Sequence, residues 1–273
     1  MSRKKVQAGH CHLCGSFGNL SREHVPPKAA FNNQPIWEAR VAEIFGANDF
    51  ESFISPRSDK DQRGAWNYTL CEKCNSDTGS WYAPFFIRWA IDAMLYLRKV
   101  RGAPSVAVPF HLLPLRVFKQ IITMFFSACQ EGLNKIEPDL VRFVLNKEVK
   151  QFPRNYKVFA YYNDPLTSTA ARQSGWSGLL KLGVPGARIF SEISYPPFGF
   201  ILSVDTPEVD RRLLDITYFK EFDYRDYEVM FLKLDALPVH SPFPADFRSL
   251  DEIKSLYDAR SLHTKTPNGG RVG

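Results

Sequence analysis

Leu70-Cys71-Glu72-Lys73-Cys74-Asn75-Ser76-Asp77-Thr78-Gly79 repeats, far along the chain, the cysteine spacing of Cys11-His12-Leu13-Cys14-Gly15. These two C-x-x-C pairs decide the fold of the N-terminal third. Each pair can form a tight turn that offers two sulfurs to one ion, and four thiolates complete the tetrahedral shell of a structural zinc site. Gly15 suits such a turn, because a backbone curling round a metal calls for positive φ. Fifty-six residues lie between Cys14 and Cys71, against roughly 15–20 in the simple zinc-ribbon pattern. A substantial segment is therefore inserted between the knuckles. His10 and His12 flank the first pair and are alternative ligands. The competing reading, two unrelated thiol pairs with one redox-active, has no βαβ pattern around it to support it. A shell of four sulfurs leaves no open position for water, so chemistry requires a second centre.

Outward from the knuckles, the chain has 273 residues, of which 44% are hydrophobic and 23% charged. That composition is globular and too apolar for disorder. No run of about 18 apolar residues exists to span a membrane, and the basic start has no apolar segment behind it. A soluble, cytoplasmic protein without membrane association is expected. The net charge of +6 suits a polyanionic partner or plain solubility equally. The fifth cysteine, Cys129, ends the apolar run Ile121-Ile-Thr-Met-Phe-Phe-Ser-Ala-Cys129 and reads as a small buried hydrophobe.

Three regions follow. Residues 1–82, rich in Gly, Asn, Asp, Ser and Pro, hold both knuckles and little hydrophobic periodicity. Residues 83–260 begin with helices. One starts at Pro84 and stops at Gly102, a second runs from Pro114 towards Gly132, and a third spans Pro138–Leu145. Strands are expected at 156–162, 187–193, 198–204 and 227–234, with Pro196-Pro197 turning one antiparallel pair. A short helix near Ser249–Ala259 precedes a polar tail, 261–273, expected to be disordered. The fold class is α+β.

Between the knuckles lies Leu20-Ser-Arg-Glu-His-Val-Pro-Pro-Lys28, and Asn75 follows the last cysteine directly. A zinc joining the knuckles brings Asn75 close to His24. A carboxylate and an amide oxygen suit a hard cation, and an imidazole can take a proton from water. Cys11-His-Leu-Cys-Gly15, Arg22-Glu-His-Val-Pro-Pro-Lys28 and Cys71-Glu-Lys-Cys-Asn75 together resemble the HNH (ββα-metal) endonucleases, in particular the subset carrying C-x-x-C zinc knuckles on both sides of the active site. The resemblance covers about residues 9–80, under a third of the chain. It implies a zinc-stabilised ββα-metal module followed by helices and an antiparallel-sheet region. His24 would be the general base, Glu23 a metal ligand where Asp is commoner, and Asn75 the second ligand in the position of the last H. Asn67 would orient His24, although it lies one residue later than the family pattern puts it and Trp66 holds the expected place.

The resemblance further implies hydrolysis of nucleic-acid phosphodiester bonds, double-stranded DNA before RNA, with Mg²⁺ or Mn²⁺ at Glu23 and Asn75 and zinc at Cys11, Cys14, Cys71 and Cys74. Arg22 and Lys28 flank the motif and would hold neighbouring phosphates, or else are merely solvated. Small nucleases with an unrelated second domain are frequent in bacterial and phage conflict systems, which implies a defence role. The alternative is a zinc-stabilised nucleic-acid-binding or sensor module without catalysis. Residues 83–260 are expected to supply association or recognition, with a homodimer as the simplest assembly.

Overall fold

The computed structural model describes residues 7–39, 49–129, 132–174, 177–180, 187–205 and 210–264. In chain order its elements are β1 (Gln7–His10), β2 (Phe17–His24), β3 (Ile36–Ala39), α1 (Phe50–Ile54), β4 (Ser58–Asp61), β5 (Trp66–Cys71) and α2 (Glu72–Trp81). There follow α3 (Ala83–Val100), β6 (Ser105–Leu112), α4 (Pro114–Ala128), α5 (Leu133–Ile136), α6 (Pro138–Leu145) and β7 (Tyr156–Tyr162). Last come β8 (Arg172–Gln173), β9 (Ser177–Leu180), β10 (Ala187–Tyr195), β11 (Phe198–Val204), β12 (Leu214–Asp215), a 3₁₀ turn (Thr217–Glu221), β13 (Glu228–Asp235) and α7 (Leu250–Thr264). The fold is α+β, and every ladder between these strands is antiparallel. No helix among the described residues is long and apolar enough to cross a membrane.

The N-terminal sheet has the order β1-β2-β5, and α2 continues directly from β5. A strand, a long excursion, a second strand and a helix therefore form a ββα unit with the knuckles at its corners. The excursion carries its own hairpin, β3 with β4, pairing Trp37 with Lys60. The large sheet has the order β12-β7-β11-β10-β8, with β9 also on β10, and Tyr195 and Phe198 close the expected hairpin at Pro196-Pro197. Helices α3 and α4 lie in the core, each opening with a proline in its first turn, where the missing N–H costs nothing.

The core does not break at residue 82, where the sequence places a domain boundary. One apolar cluster runs from Cys11, Leu13, Leu20 and Leu70 through Phe86, Trp89 and Phe125 to Phe200 and Leu234. Trp89 sits at its centre, 4.1 Å from the Phe198 ring and edge-on to Phe110. Polar ties cross the same boundary: the Tyr82 hydroxyl donates to the Val144 carbonyl at 2.7 Å, and Asn134 Nδ2 donates to the Cys11 carbonyl at 3.1 Å. The last helix also runs further than expected, to Thr264, so the polar tail does not begin at 261. Residues 265–273 lie outside the described residues.

Two buried charges are held in the C-terminal part. Lys119, on the otherwise apolar α4, donates to the Phe143, Asn146 and Val149 carbonyls and so closes the end of α6. Burial pushes its pKa down to about 7. Glu192 on β10 accepts from Tyr161 Oη at 2.5 Å, Arg172 Nη2 at 2.9 Å and the Ala245 N–H at 2.7 Å.

Candidate metal centre and candidate active site

The ligand atoms of Cys11, Cys14, Cys71 and Cys74 all lie within 4.8 Å of one another, the one such cluster of metal-binding side chains among the described residues. Cys14 and Cys71 sulfurs are 3.8 Å apart, close to the tetrahedral edge of about 3.8 Å that follows from Zn–S bonds of about 2.3 Å. Gly15 has φ +75° and its N–H returns to the Cys11 carbonyl at 2.8 Å, so the first knuckle turns as expected. Backbone N–H groups of Cys14 and Cys74 reach the sulfurs of Cys11 and Cys71, both at 3.5 Å. The Cys74 thiol donates to Cys11, which lowers the Cys11 pKa to about 4 and raises that of Cys74 in return. Four sulfurs this close cannot all ionise without a cation among them. The donor set therefore fits a metal ion such as zinc. His10 and His12 are not part of it: their Nδ1 atoms bond the Gly15 and Phe126 carbonyls at 3.1 and 3.2 Å.

The knuckles set β2 against β5, and the ladder between them carries a bulge. Leu20 and Glu23 are both buried, although residues three apart on a regular strand face opposite ways. The register shifts between Ser21 and Arg22, where Thr69 is the extra residue on β5, while β2 itself keeps its alternation, so Leu20 and Glu23 are covered on opposite faces. At the end of the strand Glu23 lies on a covered face and His24, half-buried, on the other. The two leave the last positions of β2 on opposite sides, so any shared substrate must straddle the end of the strand.

Glu23 is 7% exposed and has no hydrogen-bond or ion-pair partner among the described residues. Burial raises its carboxyl to about 8. His24 is half-buried, and its Nε2 contacts the Arg63 carbonyl at 3.1 Å. A carbonyl only accepts, so that bond puts the proton on Nε2 and leaves the Nδ1 lone pair free. Burial lowers the His24 pKa; the Arg63 carbonyl opposes this, and Lys28 and Arg22 push it down further. The imidazole is thus a neutral base at neutral pH.

Asn75, in the first turns of α2, donates through Nδ2 to Ser21 Oγ at 2.9 Å and to the Arg22 carbonyl at 3.0 Å. These bonds brace the bulge one peptide from Glu23 and leave Oδ1 without a protein partner among the described residues. Asn67 lies opposite Glu23 in the ladder, not opposite His24, and makes no bond to the imidazole. The Arg63 carbonyl does the orienting expected of Asn67. Arg22 is exposed and rests on Trp66; Lys28 is exposed.

A residue with no sequence signal holds the loop that carries Arg63. Asn32, fully buried, donates to the Pro26 and Ala65 carbonyls at 2.7 and 2.8 Å and accepts from the Ala65 N–H at 2.7 Å. Gly64 has φ +84°, and a Cβ there would lie 2.3 Å from Asn32 Oδ1. Only glycine permits that approach. No family model, curated protein or solved structure matches the chain.

Proposed function

We propose that the chain is a metal-dependent HNH-type endonuclease, hydrolysing nucleic-acid phosphodiester bonds, DNA before RNA. One observation carries this reading: a buried carboxylate without a protein partner, Glu23, adjoins an imidazole whose tautomer is fixed to leave Nδ1 basic. A buried ionisable group without a partner is costly unless something else binds it. Glu23 and the free Oδ1 of Asn75 are hard oxygen donors suited to Mg²⁺ or Mn²⁺. When bound, such a cation supplies Lewis-acid stabilisation of a phosphate oxygen. His24 Nδ1 accepts a proton from water as that water attacks phosphorus, and the P–O bond on the far side breaks. The four-cysteine site stands apart from the chemistry and holds β2 against α2.

The test is incubation of plasmid DNA, and in parallel a structured RNA, with purified protein in Mg²⁺, Mn²⁺ or EDTA. Cutting that needs the hard cation while zinc stays bound is the expected result. Full cutting after the hard cation is stripped, or no cutting of either polymer with any cation, removes the reading. A dimer setting two sites on one duplex belongs to the same proposal. Ile91 and Leu95, one turn apart on α3, are exposed apolar positions for it, and light scattering reads the assembly.

A further inference from the structure

We propose that Trp66 is a platform presenting two guanidinium groups, those of Arg22 and Arg63, as paired contacts for successive phosphates of a nucleic-acid strand. This rests on the hydrolase reading and narrows its substrate to a polymer with phosphates on both sides of the cut.

The Cζ atoms of Arg22 and Arg63 lie 4.1 and 4.5 Å from the centre of the Trp66 ring. Two like charges on one indole repel each other, so the arrangement must be held. Asp61 holds part of it: its carboxylate accepts from Trp66 Nε1 at 2.8 Å and from Arg63 Nε at 3.3 Å. Tyr68 meets the indole edge-on at 5.4 Å. The ring is therefore fixed on two sides before either cation is counted. Of the two guanidinium groups Asp61 bonds only that of Arg63, so the Arg22 charge is not paired within the platform.

Arg22 is the telling member. Its side chain has no hydrogen bond and no carboxylate partner among the described residues, only the Trp66 ring. Stacking uses the flat face of a guanidinium and leaves its edge donors free, and those donors match phosphate oxygens bidentately. Arg63 spends Nε and Nη2 on Asp61, is half exposed, and keeps its Nη1 donors for a ligand. Trp66 is the ladder partner of His24, and Arg22 stands two residues before His24, so all three share the outer face of the sheet. Fixed cations beside the base select a substrate by its backbone charges, with no need to read a base.

The experiment measures binding separately from cutting. His24→Ala protein is titrated with a short fluorescently labelled duplex over a range of salt, by anisotropy, and zinc content is checked for each further variant. Adding Arg22→Ala or Arg63→Ala should weaken binding and flatten the slope of log affinity against log salt by about one each. Arg63→Ala keeps the backbone carbonyl that His24 uses. Trp66→Leu should act like the double arginine variant, and Trp66→Phe, which keeps a ring face, should restore most of the affinity. A merely structural Trp66 would alter melting or zinc content without moving the slope. An unchanged slope in the zinc-replete double arginine variant, or no binding at low salt, overturns the platform. If the slope falls as expected but wild-type protein cuts nothing, the platform stands and the hydrolase reading falls.

Discussion

Two buried glutamates are treated in opposite ways. Glu192, in the large sheet, is met by a tyrosine hydroxyl, an arginine and a backbone N–H. Glu23, in the N-terminal sheet, is 7% exposed and met by none. The first is a fastening: it pins residues 241–246, whose carbonyls also take the Arg172 guanidinium, against the back of the sheet. The second is a liability for the fold, and its carboxyl rises to about 8 as a result. The lesson is that burial alone says little about a charge. Whether the protein itself answers that charge separates a structural group from one kept for a ligand.

The largest effect is expected at the sulfurs. Cys71→Ser should cost the N-terminal sheet its fold, since structural zinc contributes about 10–16 kcal/mol of apparent binding energy to folding. Because the core is continuous, the melting transition of the whole chain should drop with it; elemental analysis and calorimetry decide. A zinc-free variant that melts like wild type would detach the knuckles from the fold. Next, His24→Ala should lower cleavage by about 10²–10⁴-fold while zinc content and melting stay unchanged. Single-turnover rates on plasmid DNA measure it, and an active variant free of contaminating nuclease ends the general-base assignment.

The same substitution at both glutamates should then have opposite signs. Glu192→Gln leaves Arg172 buried beside a neutral group and should destabilise by about 3 kcal/mol. Glu23→Gln should stabilise the protein at neutral pH in the absence of Mg²⁺ and Mn²⁺. Wild-type stability carries a matching pH signature. With a folded pKa of about 8 against an ordinary 4.5, Glu23 keeps a proton in the fold that the unfolded chain releases. Stability should therefore fall as pH rises through that window, and Glu23→Gln should remove the slope. Urea melts at several pH values test both statements; equal signs at the two positions would erase the contrast. The smallest effect concerns Lys28, whose charge helps depress the His24 pKa. Lys28→Gln should move the acidic limb of the rate profile towards higher pH, without changing the plateau.

The sequence carries much of the scaffold. Three-and-four spacing behind prolines places α3, α4 and α6 within a residue or a few, and aromatic, β-branched runs place β7 and β11 at their observed bounds. β6 is illegible because Pro109 interrupts it, and a proline demotes a strand unless it lies in a thin ribbon such as β6 with β13. Lys119 reads as a break in an apolar face, since nothing local announces three carbonyls at the end of a later helix. At the site, the cysteine spacing and the Glu-His pair are visible in the sequence. The rest acts through the backbone: any residue could supply the carbonyl that Arg63 offers His24, so no residue type marks it. Asn32 looks like an ordinary turn residue beside Asn33, and its role appears only when Pro26 and Ala65 meet.

That meeting bears on how the chain can change over time. Asn32 ties the start of the excursion to its end, so the path between them hangs from a closed knot. Lengthening such a loop is cheap, about 0.6 kcal/mol for each doubling, and leaves the knot and the His24 imidazole beyond it where they are. Insertions in that path are thus tolerated where they spare Asp61, which holds Trp66, and Phe50 and Phe53, which pack on Tyr257 and Phe243. The neighbouring strands have no such freedom.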